Sequence, residues 1–208
     1  MKFLTLFFPC VCPFCGAVIR DDQKCCKNCV KFTKITAHKQ LLYEKYPTAS
    51  LFRHDDVYRR AILKYKYHCQ KQLYIPYSLM LQELIDEAFG DIKFDYYTSV
   101  PPHKRKKDNK FDQAGLLAKE TARINKCKYV QFMEQVKDSK SQHHLHREER
   151  FVNVRGIYRV CDKRRSMLAG KNILLFDDVV TTGATLNECA QALMMQNANM
   201  VCCITVNW

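Results

Sequence analysis

Ile173-Leu-Leu-Phe-Asp177-Asp178-Val-Val-Thr181-Thr182-Gly183-Ala184-Thr185 is the stretch from which the fold of this chain is read. Ile173–Phe176 is an apolar run with no polar member, the pattern of a central parallel strand buried on both faces. Asp177 and Asp178 follow where that strand is expected to end, and Thr181–Thr185 forms a turn of small, hydroxyl-rich residues. An amphipathic helix comes next, with Leu186, Cys189, Ala190, Leu193 and Met194 on its apolar stripe. A strand, such a turn and a helix N-terminus make an anion cradle, because free backbone N–H groups and the positive end of the helix dipole face the same point. The two carboxylates would repel a phosphate. They suit a sugar's vicinal hydroxyls, which donate hydrogen bonds to acceptor-only groups. Phosphate beside diol reads as a ribose 5-phosphate.

Around this stretch the chain has 208 residues, room for one α/β domain and a small appendage, and 47% of them are hydrophobic, enough for a real core. A formal charge of +13 and a pI near 9.2 point to a polyanionic partner, nucleic acid first, or to an anionic substrate. The apolar Phe3–Phe8 run is too short for a span or a signal core, so the expectation is a soluble cytoplasmic protein without membrane insertion. Twelve cysteines in a cytoplasmic chain then need a reason other than disulfides.

Cys12-Pro-Phe-Cys15 and Cys26-Lys-Asn-Cys29 supply one: two C-x-x-C knuckles ten residues apart, able to aim four thiolates at one ion. Cys10 and Cys25 flank them and are alternative ligands, but knuckle geometry favours Cys12, Cys15, Cys26 and Cys29. Four thiolates leave no open position for a substrate, so the expected Zn2+ is structural, holding a segment with little core of its own. Cys69, Cys127, Cys161, Cys189, Cys202 and Cys203 read as small buried hydrophobes.

Between these landmarks Ala49–Arg53 is a candidate strand. Val57–Tyr67 is a candidate helix whose Arg59, Arg60, Lys64 and Lys66 interleave with tyrosines, either a solvated basic face or a surface for single-stranded nucleic acid. A second helix is expected over Leu73–Phe89, with Pro76 in its first turn. Phe94–Val100 reads as a strand followed by the basic run His103–Lys107, and ligands of open α/β sheets gather at such strand ends. That run is a pyrophosphate-binding loop or a solvated one. Asp112 is placed to cap a helix with Ala114, Leu117, Ala118, Thr121 and Ile124 inward. Tyr129–Met133, Tyr158–Val160 and Met200–Val206 are the remaining strands, and the polar stretch 136–156 is a long loop carrying Gln142, Arg147 and Arg150. His143, His144 and His146 in it read as surface histidines, and Lys163–Arg165 as a second basic cluster.

The run from Ile173 resembles the phosphoribosyl pyrophosphate (PRPP) signature of type I phosphoribosyltransferases: four apolar residues, two acids, then T-T-G-x-T. Together with both cysteine knuckles it resembles the ComF/ComFC competence-type phosphoribosyltransferase-like family. The likeness also takes in Leu63-Lys64-Tyr65, Val100-Pro101 with its basic loop, Phe111-x-Gln113, Gln142-x-x-Leu145, Arg150-x-x-Asn153-Val154-x-Gly156 and Leu186-Asn187-Glu188. Where that family usually reads R-G-F-N-Q, this chain has Asn109-Lys110-Phe111-Asp112-Gln113, losing a cation and a glycine. The resemblance implies an α/β fold, a type I phosphoribosyltransferase-like parallel sheet flanked by helices over 41–208, with 41–90 joining or covering the core and a zinc module over 1–40. It implies PRPP, with Mg2+, bound by Asp177, Asp178, Val179, Thr181, Thr182, Gly183, Ala184 and Thr185, with His103, Lys104, Arg105 and Arg150 toward the pyrophosphate. Asp177 and Asp178 would be the catalytic pair. It further implies a part in natural transformation, with single-stranded DNA and the DNA-uptake machinery as partners. Two readings stay open: an enzyme transferring the phosphoribosyl group to an acceptor, and a binding protein for which PRPP is a ligand. No base-recognition loop or positioned general base stands out for any acceptor.

Overall fold

A computed structural model describes residues 9–33, 38–53, 71–102, 112–137 and 156–208. Its centre is a six-stranded sheet in the order β1(His38–Leu42), β2(Tyr46–Phe52), β8(Met200–Asn207), β7(Asn172–Val179), β3(Tyr96–Ser99) and β4(Lys128–Tyr129). Only β1 runs antiparallel to its neighbour; every other pairing is parallel. Among the described residues two further strands, β5(Met133–Gln135) and β6(Tyr158–Val160), form a separate antiparallel pair. Among the described residues three α-helices flank the central sheet: α1(Tyr74–Phe89), α2(Gln113–Ile124) and α3(Ala184–Met194).

The central strands are buried on both faces because their apolar runs alternate between two cores. Ile173, Leu175, Val201 and Cys203 pack with Leu186, Cys189, Ala190 and Leu193 of α3 on one face. Leu174, Phe176, Cys202, Ile204 and Val206 pack with α1 and with Leu117, Ala118 and Ala122 of α2 on the other. Leu186 and Leu193 are fully buried, each adding about 1.5–3 kcal/mol of transfer free energy. The chain leaves β3 through α2 to β4 on one side, and leaves β7 through α3 to β8 on the opposite side. The sheet order therefore reverses between β3 and β7, and the loops after these strands diverge there. In open parallel sheets that crevice is where ligands bind.

Several sequence expectations shift. The strand carrying the acids does not stop before them but continues through Val179, paired with β8 as far as Asn207. Tyr129–Met133 is not one strand: pairing with β3 ends at Tyr129, and Phe132 turns into the core before β5 starts. Ala122 rather than Ile124 completes the inward stripe of α2, with Ile124 half-buried. The expected strand at Ala49–Arg53 runs instead over Tyr46–Phe52 and forms a hairpin with β1, a strand whose mostly polar sequence gives no such signal. Cys189, Cys202 and Cys203 are buried as expected, whereas Cys127 and Cys161 are half-buried. The candidate helix Val57–Tyr67 lies outside the described residues, as do Cys69 and the histidine-bearing part of the long loop. Among the described residues no helix is long and apolar enough to cross a membrane.

Candidate functional site

At the end of β7 the backbone is pinned before it enters α3. The Val180 N–H donates to the Asn207 carbonyl at 2.9 Å, and the Asn187 N–H to the Gly183 carbonyl at 2.8 Å. Gly183 is the N-cap of α3 with φ +77°, a left-handed conformation that glycine adopts without penalty. Gly183 has no side chain to cap the helix, and apart from the long bond from the Ala184 N–H to Thr182 Oγ1 its first turn presents backbone donors of the kind that bind anions. Thr182 Oγ1 lies 3.4 Å from the Ala184 nitrogen, and Thr185 sits half-buried in the first turn. Val179 ends β7, Thr181–Gly183 form the turn, and Ala184 and Thr185 open α3.

The two acids are not side by side. Successive residues of a strand point to opposite faces. Asp177 accordingly lies on the α3 face, where its charge helps raise the pKa of the buried Cys189 and Tyr158, after burial itself. Asp178 lies on the α2 face near Asp112. Burial raises the Asp112 pKa and the Asp178 charge adds to it, against the opposing pull of the Gly115 N–H and of Lys119. Each carboxylate also accepts from the backbone N–H that follows it, Asp178 N at 2.8 Å and Val179 N at 2.7 Å. These bonds hold the two groups apart at the strand's end, one on each face of β7.

Asp112, read from sequence as a cap only, does cap α2, its Oδ1 accepting from the Gly115 N–H at 2.8 Å. Its nearness to Asp178 gives it a second place, at the rim of the crevice. His103, Lys104, Arg105 and Arg150 lie outside the described residues. Of the basic cluster Lys163–Arg165, Arg164 donates to the Gln131 carbonyl and Arg165 pairs with Asp162 at 2.7 Å. Two of its three cations are therefore engaged within the chain.

One contributor carried no sequence signal. The tip of the β1–β2 hairpin packs onto the threonine turn: Leu42 and Val180 share a core, and the Tyr43 hydroxyl donates to the Thr182 carbonyl. A methyl group added at Gly183 would meet Leu42 Cδ1 at 2.5 Å. Tyr43 and Gly183 are brought together only by the fold, from opposite ends of the sequence.

The second candidate site lies near the N-terminus. One ligand sulfur from each of Cys12, Cys15, Cys26 and Cys29 lies within 4.8 Å of the other three, and the Cys15 and Cys26 sulfurs are 3.5 Å apart. Tetrahedral thiolate coordination at about 2.3 Å sets the sulfurs roughly 3.8 Å apart, so the cluster fits a metal ion with little rearrangement. Burial opposes ionisation of Cys26, yet hydrogen bonds with the Cys15 and Cys29 thiols bring its pKa down to about 7. Cys10 and Cys25 are both buried and stand outside the cluster, and burial raises both thiols. Phe14, between the first two ligands, packs against Phe32 and edge-on against Phe52 of β2, with ring centroids 5.4 and 6.1 Å away. Lys24 reaches Glu83 of α1 at 2.5 Å. The cysteine segment is therefore seated on the sheet.

No protein-family model matches the chain. It is similar to the competence protein ComFC of Bacillus subtilis (strain 168), 22% identical over 88% of this chain and 71% of that protein. It is also similar to the DNA utilization protein YhgH of Salmonella typhimurium, 25% identical over 92% of this chain and 81% of that one. The YhgH protein of Escherichia coli O157:H7 is 24% identical over the same shares. Among solved structures, adenine phosphoribosyltransferase from Saccharomyces cerevisiae superposes with a TM-score of 0.42 at 12% identity, covering 85% of this chain and 89% of that one.

Proposed function

We propose that this protein binds PRPP at the end of β7 and serves the uptake or use of DNA, as the names of its ComFC and YhgH relatives suggest. The observation that carries the reading is the threonine turn at the head of α3, flanked on the two faces of β7 by Asp177 and Asp178. Anchored N–H donors and hydroxyls there suit the 5-phosphate, and the acids suit the ribose hydroxyls. The length of the likeness supports the DNA connection, since it spans 88% and 92% of this chain.

In the proposed complex the turn Thr181–Thr185 holds the phosphate end and fixes the ribose across β7. Asp177 and Asp178 accept from its hydroxyls, and their negative charge favours positive character on the ring carbon that bonds the pyrophosphate. Mg2+ bound with the pyrophosphate would take up charge on that group, its hard-oxygen preference suiting phosphate and carboxylate alike. His103, Lys104, Arg105 and Arg150 are proposed to meet the same charge. We assign the four-cysteine cluster to a structural Zn2+, which all-thiolate tetrahedral ligation favours. Transfer of the phosphoribosyl group to an acceptor is the second reading, favoured by the two carboxylates standing on the two faces of β7 at its end.

The test is calorimetric titration with PRPP and Mg2+, followed by assay of pyrophosphate release against a panel of nucleobases and single-stranded DNA. Binding with release marks an enzyme. Binding without release marks a ligand-sensing protein. No binding of PRPP or of ribose 5-phosphate at millimolar concentration would remove the proposed site.

A further inference from the structure

The hairpin tip is a turn closed by the Lys45 N–H on the Leu42 carbonyl at 3.1 Å, and its two central residues are not the Asn-Gly or Asp-Gly pair such turns favour. Tyr43 and Glu44 both adopt positive φ, 49° and 58°, a conformation uncommon for residues other than glycine and costly for a bulky one. That turn places Leu42 in the core against Val180 and carries the Tyr43 hydroxyl to the Thr182 carbonyl. The carbonyl belongs to the peptide joining Thr182 to Gly183. In a trans peptide the C=O and the following N–H point in opposite directions, and no cis bond occurs among the described residues. Holding the Thr182 carbonyl toward the hairpin therefore turns the Gly183 N–H away from it. The Val180 and Asn187 bonds fix the turn on either side of this peptide, the Ala184 N–H reaches Thr182 Oγ1 at 3.4 Å, and the Tyr43 hydroxyl holds the peptide's own carbonyl.

We propose that Tyr43 is a positioning residue for the phosphate: its hydroxyl sets the plane of the Thr182–Gly183 peptide so that the Gly183 N–H is aimed at the bound anion before the ligand arrives. The inference rests on the ribose 5-phosphate reading above. It adds that a residue far away in sequence, on an edge hairpin, tunes affinity for the phosphate half of the ligand and leaves the diol half alone.

Tyr43→Phe keeps the ring and removes the hydroxyl. Ribose 5-phosphate should bind the variant about five-fold more weakly, the worth of one net hydrogen bond. The preference for ribose 5-phosphate over 2-deoxyribose 5-phosphate should not change, because that ratio reports the acids. In 15N–1H spectra the Gly183 amide should move downfield on adding ribose 5-phosphate to the parent protein, and move less in the variant. Replacing Tyr43 by 4-aminophenylalanine, which retains an N–H donor, should restore both affinity and shift, and a thermal melt of each protein checks that the fold is intact. Parent-like affinity and amide shift in Tyr43→Phe would overturn the positioning role and leave the site standing. A changed ribose-to-deoxyribose ratio would also overturn it, showing a general disturbance of the pocket. A parent protein whose Gly183 amide ignores ribose 5-phosphate would overturn the site and the positioning role together.

Discussion

Gly183→Ala offers the sharpest probe of how the hairpin meets the turn, because a second glycine supplies its control. Gly183 and Gly170 have nearly the same backbone, φ +77° and +70°, yet a methyl group at Gly170 meets nothing within 4 Å. Gly170→Ala should therefore cost only the left-handed conformation, about 1–2 kcal/mol. Gly183→Ala carries that same cost and also drives its Cβ to 2.5 Å from Leu42 Cδ1. Leu42 is fully packed in the core and cannot swing away freely, so overpacking adds roughly 1–3 kcal/mol. The sum is about 2–5 kcal/mol, to be read by equilibrium urea unfolding with zinc present. Leu42→Ala alone should cost about 2–5 kcal/mol through its cavity. Combined with Gly183→Ala it should cost less than the sum, by about 1–3 kcal/mol, since the alanine methyl then occupies space the leucine has left. A Gly183→Ala loss no greater than that of Gly170→Ala, or strict additivity with Leu42→Ala, would refute the contact.

Three further outcomes are expected. Purified protein should carry about one zinc per chain and lose it in Cys26→Ser plus Cys29→Ser, and acidification should release it because the ligands must be thiolates; full zinc in the double variant by metal analysis would reject the assignment. Asp177→Asn and Asp178→Asn should each weaken PRPP-Mg2+ binding by roughly ten-fold, an amide keeping the shape but losing the charge-assisted acceptor; unchanged calorimetric affinity in both would place the ligand elsewhere. Labelled single-stranded DNA should bind with a log–log salt slope of roughly −0.7 per phosphate contact, and Arg59→Ala plus Arg60→Ala plus Lys66→Ala should lower it while sparing PRPP; absence of binding by the parent protein at low salt would end the nucleic-acid reading.

The stretch from Ile173 made the centre of the fold legible because its chemistry is local: an apolar run, acids and a glycine turn adjoin in sequence, and so they adjoin in space. The cysteine knuckles were legible for the same reason, and the four expected sulfurs do converge. What stayed hidden was non-local. β1 reads His-Lys-Gln-Leu-Leu, mostly polar, and becomes a strand only by pairing with β2. Nothing in Tyr43 announces a bond to Thr182. The divergence of Asp177 and Asp178 could be read only after the strand was known to extend through Val179, which its pairing with β8 decides. Likewise Arg164 and Arg165 look like a free basic cluster until Gln131 and Asp162 are seen to engage them.

The sheet order also bears on how the protein is made. β8, latest of the six strands in chain order, lies between β2 and β7. Until it is in place the sheet exists as two halves, the hairpin β1–β2 on one side and β7–β3–β4 on the other. Joining them closes a loop of some 150 residues between β2 and β8, which makes this a late, slow event. During that interval β2 and β7 are open edges rich in apolar side chains, the kind of surface on which unfinished chains pair with one another. Synthesis is then the protein's period of greatest exposure to aggregation, and β8 is the strand that ends it.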